Sequence, residues 1–183
     1  MQVGWDREHT RAKNLGMDEL DIADIWPTDI ESFANRWPRI VLEVITKHLP
    51  NDFFRVGSID VVSDKLRKVM EATGLQAEFL PVFVLYKGKK CSRRSFFFCH
   101  ILAQVDCFDH QKGQCTYHKA PGFEDHVDEI QKLVIDEGKA AGHHLFRMSK
   151  GAEYVVCVSD ELAARISESG TSGMRFVEPE KWK

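Results

Sequence analysis

The chain has 183 residues, 43% hydrophobic and 29% charged, with a net charge of −3. That composition fits a soluble globular protein of one generous domain or two small lobes, with enough length to bury a core. The acidic balance argues against a general nucleic-acid binder, and no apolar run approaches the ~20 residues that span a bilayer.

The first residues, MQVGWDREHTRAKNLG, lack the apolar stretch of a secretory signal, so a cytoplasmic location is expected. The five cysteines are odd in number and the chain is too large to need stapling, which favours reduced thiols. Residues 1–36 are polar and weakly periodic. Trp26 and Trp37 each precede a proline, which disfavours helix at the tryptophan. The expectation is an N-terminal arm (1–36) packed on a body (37–183). Charge is unevenly placed. Asp18, Glu19, Asp21, Asp24, Asp29 and Glu31 form an acidic stretch without a base, and Lys87, Lys89, Lys90, Arg93 and Arg94 form a basic stretch without an acid. The simpler reading of both is a solvated surface; the sharper one is an acidic segment and a basic hairpin tip that face a partner.

Ile40–Ile45 reads as a strand, although a helix fits a run this short almost as well. A turn follows at His48–Asp52. Ile59–Val62 reads as a buried strand that feeds a helix capped by Ser63, with Leu66, Val69 and Met70 on one stripe and Gly74 as the stop. Glu78–Tyr86 reads as a strand, and its Pro81 suggests an edge or a bulge. After the turn Lys87–Lys90, Ser95–Phe108 reads as one long strand rich in aromatics. Gln111–Gly122 reads as irregular. The spacing of Val127, Ile130 and Val134 predicts a helix over 124–136. Gly142–Met148 and Tyr154–Val158 read as strands. The chain closes with a helix capped by Ser159, stopped at Gly170, and a strand at Met174–Val177.

Two of these segments repeat. Val62-Ser63-Asp64-Lys65-Leu66 with Gly74, Phe79 and Pro81 is answered by Val158-Ser159-Asp160-Glu161-Leu162 with Gly170, Phe176 and Pro179. The predicted fold is therefore α+β: a mainly antiparallel sheet with packed helices and two related strand–helix–strand units, at about 59–86 and 154–179.

Chemistry is harder to find. Cys107, His110, Cys115 and His118 are zinc-ligand types at short spacings, but the pattern lacks the longer gap that usually separates two knuckles. Core cysteines and surface histidines explain the same residues, so no metal is expected. For His143 and His144, neighbours on a strand point to opposite faces, so one inner and one exposed histidine is the simpler account. None of Cys91, Cys99, Cys107, Cys115 or Cys157 lies at a predicted helix N-terminus, where a thiolate would be favoured. No glycine-rich phosphate loop is present.

The order of several blocks carries a resemblance. They are Leu49-Pro50-Asn51-Asp52-Phe53-Phe54, Val62-Ser63-Asp64-Lys65-Leu66, Glu78-Phe79-Leu80-Pro81-Val82 and Val105-Asp106-Cys107-Phe108-Asp109. They continue with Leu133-Val134-Ile135-Asp136-Glu137, His144-Leu145-Phe146-Arg147, Val158-Ser159-Asp160-Glu161-Leu162 and Gly173-Met174-Arg175-Phe176. Over residues 36–179 this resembles the immunity protein 11 family of bacterial polymorphic toxin systems. The resemblance implies a binding protein, not an enzyme: an antitoxin without cofactor that neutralises a cognate toxin, of nuclease type and cytoplasmic action, in settings such as type VI secretion. Membrane and direct nucleic-acid partners are not expected. In that reading Asp18, Glu19, Asp21, Asp24, Asp29 and Glu31, with Trp26, would cover a basic groove on the toxin and steer association. The competing readings are a metal-dependent hydrolase using His143 or His144 with the Cys/His loop, and a homodimeric regulatory domain.

Overall fold

The computed structural model describes residues 1–3, 12–14, 30–57, 59–91 and 94–182. Apolar residues alternate along Ile40–Val44 (β3) and Ala77–Tyr86 (β6), and the two strands pair in parallel, with Ile40 beside Val82. Phe96–Ile101 (β8) pairs antiparallel with β6 and with Ile59–Ser63 (β5), which pairs in turn with Phe53–Val56 (β4). Ala12–Asn14 (β2) flanks β3, and Lys89–Lys90 (β7) folds back on β6. The resulting order is β2-β3-β6-β8-β5-β4, and the sheet curls until β2 and β4 approach one another. Its concave face holds Ile40, Leu42, Val82, Val84, Phe96, Phe98 and Val61. Trp37 closes that core, stacked on Phe98 at 5.0 Å and donating Nε1–H to the Pro81 carbonyl at 2.8 Å.

A second sheet runs in the order β1-β13-β12-β9, from Gln2–Val3 (β1), Val156–Val158 (β13), Leu145–Met148 (β12) and Gln104–Val105 (β9). Gln114–Tyr117 (β10) and Val127–Lys132 (β11) form a separate two-stranded ladder.

The repeated motif folds as its chemistry requires. Ser63 Oγ accepts from Leu66 N–H at 3.2 Å, and Ser159 Oγ accepts from Leu162 N–H at 3.1 Å. These caps open Asp64–Glu71 (α1) and Asp160–Glu168 (α3) with an aspartate at the positive end of each helix. Gly74 and Gly170 follow at φ +68° and +65°, left-handed conformations that only glycine adopts without strain. The helices do not face separate cores. Val62, Leu66 and Met70 share one buried cluster with Val158, Leu162 and Ile166, joined by Cys99, Ile101 and Leu145. This α+β architecture is dominated by sheet.

Four expectations change. The long strand at 95–108 is two strands. Leu102 N–H leaves β8 to bond Gln76 O at 3.0 Å, and the chain crosses to the second sheet, where β9 pairs in parallel with β12. The predicted helix at 124–136 is β11. Register shifts in the β10–β11 ladder upset the two-residue period, so Val127 and Ile130 fall at a spacing that imitates a helix. The real helix there, Glu137–Ala140 (α2), is a single turn capped by Asp136. Pro81 sits on a central strand, but the β3 register begins one residue later, so no β3 ladder partner faces it. Residues 174–176 carry no strand and Val177 makes only an isolated bridge, so the second unit lacks the long strand that follows α1.

Candidate functional site

Ser63 does more than cap. Its hydroxyl donates to Asp52 Oδ1 at 2.6 Å, and Ser172 donates to the same carboxylate through N–H at 3.0 Å and Oγ at 3.1 Å. Arg94 completes the shell at 2.5 Å and donates to Pro50 O at 2.7 Å. Burial pushes the Asp52 carboxyl up, but these hydrogen bonds and the Arg94 charge outweigh it and hold it below the usual carboxylate range. Arg94, last of the basic run, thus turns towards a buried carboxylate and is itself half-buried.

A second hub joins the sheets. Asp60 on β5 is 1% exposed and accepts from Arg55 Nε at 2.6 Å and from Arg147, on β12, at 3.4 Å. Arg147 also donates to Glu153 O at 3.0 Å. Neither hub was visible in sequence: Arg55 and Asp60 face each other across the short β4–β5 hairpin, but Arg147, Arg94 and Ser172 reach the two aspartates from distant segments.

The Cys/His residues do not converge. The Cys107 thiol is buried and hydrogen-bonded to Cys157, which favours the Cys107 thiolate and pushes the Cys157 thiol up. His110 Nδ1 lies 2.6 Å from the Tyr117 hydroxyl, and His118 Nε2 lies 3.6 Å from Asp128. Among the described residues, no group of three or more His, Cys, Asp or Glu is arranged to hold a metal ion. Burial pushes the Cys99 thiol up as well. His144 Nδ1 lies 2.9 Å from Ser159 Oγ, and His143 meets the Phe146 ring edge-on at 5.7 Å. Both histidines line a shallow cleft of about 230 Å³ with Met1 and Asp160.

A larger cleft, about 700 Å³, lies between Phe108–Lys112 and Ile135–Lys139. Its walls are tied by Asp109 N–H to Val134 O at 2.9 Å and Asp136 N–H to Cys107 O at 2.7 Å. Two of its three carboxylates, Asp109 and Asp136, are already engaged. Asp109 pairs with Lys112 at 3.1 Å and accepts from the Gln111 and Lys112 amides, while Asp136 caps α2 through the Gly138 and Lys139 amides. Its two walls carry two of the sequence blocks singled out above.

Of the acidic segment, Asp18, Glu19, Asp21, Asp24, Trp26 and Asp29 lie outside the described residues. Glu31 is exposed and 3.8 Å from Arg36. Of the basic stretch, Lys87, Lys89 and Lys90 form a hairpin tip, while Arg93 lies outside the described residues. Lys87 and Gly88 have φ of +52° and +71°, the backbone of a tight turn whose twist suits the flanking strands. Lys87, Lys89 and Lys90 are exposed. Beside them, on the outer side of the curled sheet, Phe83 is 39% exposed, with the Arg39 guanidinium 5.0 Å and the Lys90 ammonium 5.9 Å from its ring centre. Sequence reading passed over Arg39 and Phe83. The alternation of β6 does mark Phe83 as opposite in face to Val82 and Val84, which was the one available signal.

A family model described as an immunity protein family (Imm11) matches residues 6–181. No curated protein matches the chain.

Proposed function

The chain belongs to the immunity protein family Imm11, and from that premise we propose that it is an antitoxin that binds a cognate bacterial effector toxin and neutralises it by covering an active site or essential surface. The family match, which spans nearly the whole chain, carries this reading. The toxin acts in the cytoplasm, with a nuclease as the leading class, and the antitoxin meets it there as a stoichiometric inhibitor rather than an enzyme. Engagement of Asp109 and Asp136 as turn and cap acceptors supports a binding role for the larger cleft over a catalytic one. No helix among the described residues is long and apolar enough to cross a membrane.

In this reading residues 37–183 are the scaffold, with the two serine-capped units as its halves, and residues 1–36 are an arm that bears the contact. Asp18, Glu19, Asp21, Asp24, Asp29 and Glu31 face a basic groove of the toxin, and Trp26 is the apolar anchor. Oppositely charged surfaces speed encounter and fix orientation. The experiment is co-expression of the full chain with the toxin domain encoded beside it. Wild type restores growth, whereas Asp21→Lys, Asp24→Lys and Asp29→Lys together weaken inhibition and flatten its salt dependence. Failure of wild type to bind or rescue would sink the antitoxin reading; an unchanged triple variant would remove only the acidic segment.

A further inference from the structure

The parallel pairing of β3 and β6 sets their odd-numbered residues on the side of the sheet away from the concave core. Val41 lies beside Phe83 in the register, and Ile45, 58% exposed, continues the row past the end of β3. Interrupted by Glu43, which sits beside Leu85 in the register, an apolar strip thus runs across two central strands where a sheet would ordinarily be covered. What sets the strip apart is the cluster of cations packed on its aromatic rings. Among the described residues, no carboxylate lies within ion-pair distance of Arg39, Lys87 or Lys90, whereas Arg55, Arg94 and Arg147 each meet an aspartate. In a chain of net charge −3, Arg39 and Lys90 over the Phe83 ring and Lys87 over the neighbouring Tyr86 ring gather positive charge at one place on the surface.

We propose that this outward face of β3 and β6, centred on Phe83 and ringed by Arg39, Lys87 and Lys90, docks a carboxylate-bearing surface of the toxin. The proposal rests on the antitoxin reading and adds a second, oppositely charged contact to the one assigned to the acidic segment. An exposed aromatic flanked by arginine is the composition of a protein interface centre, and lysines on its margin suit steering. A nucleic acid is the poorer occupant. Three cations neutralise few phosphates, and the acidic remainder of the chain repels the backbone.

The test uses the full chain and the purified toxin domain encoded beside it, with affinity measured across a salt series. Arg39→Glu with Lys90→Glu weakens binding about 100-fold and flattens the salt dependence, and Phe83→Ala weakens it about tenfold. Arg39→Gln with Lys90→Gln falls between wild type and the reversal. Lys119→Glu with Lys132→Glu, exposed positions on the β10–β11 side, matches wild type. Melting curves establish that each variant is folded. If wild type binds and the Arg39/Lys90 reversal binds equally well, this surface is wrong and the antitoxin reading stands. If wild type neither binds nor rescues growth, the reading itself falls and takes the surface with it. Wild-type binding to a short labelled DNA duplex, lost in the reversal, would make this a nucleic-acid site and overturn the proposal.

Discussion

The seam between the two sheets and the outer face of the curled sheet use the same residue types to opposite ends. In the seam, Asp60 meets Arg55 and Arg147, and at the end of the first sheet Asp52 meets Arg94 and two serines. Every carboxylate there is saturated, so its charge stabilises the fold and offers nothing to a partner. On the outer face, Arg39 and Lys90 lean on an aromatic ring, and among the described residues no carboxylate comes within ion-pair distance of them. Charge alone therefore does not mark a binding surface, because the same residue types are taken up inside the fold at one place and left at the surface at the other.

The comparison breaks first at Asp60. Asp60→Ala strands the buried Arg147 guanidinium and is expected to cost about 3–5 kcal/mol, read by urea denaturation. A loss near zero would mean that the seam tolerates an unpaired cation. Next comes the apolar part of the seam. Leu66→Ala and Leu162→Ala each open a cavity worth about 3 kcal/mol. Because both side chains belong to one cluster, the double variant should depart from additivity, and strict additivity would show two independent cores.

Asp52 gives a pH signature. Its folded pKa is depressed, so its stabilisation is present above the unfolded value near 3.8 and disappears as pH falls through the lower folded value. Asp52→Asn lowers stability at neutral pH by about 1–3 kcal/mol and makes the acid limb of the stability profile shallower. An unaltered acid limb would transfer that role to other carboxylates. Ser159→Ala, which removes a cap without a buried carboxylate behind it, costs about 1 kcal/mol. The smallest effect belongs to the outer face. Phe83→Ala and Arg39→Gln should shift stability by no more than about 0.5 kcal/mol while affecting toxin binding. Strong destabilisation by either would place them in the scaffold.

Much of this fold was legible locally. Ser63 and Ser159 stand before apolar stripes, Gly74 and Gly170 stand after them, and the caps formed as their spacing implied. The errors have local causes as well. A bulged ladder gave Val127 and Ile130 a helical spacing, and an apolar stretch that changes sheets at Leu102 looked continuous because both halves are buried. The candidate site was much less readable. The basic run was visible as charge, but composition could not show that Arg94 turns inward to Asp52 while Lys90 stays outside over Phe83.

The sequence by itself determined the capped helices, the alternating strands and the family. The caps and strands rest on residues close together along the chain, where hydrogen bonding and hydrophobic period act over a few positions, and the family rests on the order of blocks along it. Tertiary structure alone decided which charges are paired, which helices share a core and which sheet face remains open. Those outcomes depend on strands such as β3 and β6, or β5 and β12, that meet only after distant segments have folded together. No short-range rule selects among the pairings that such segments allow.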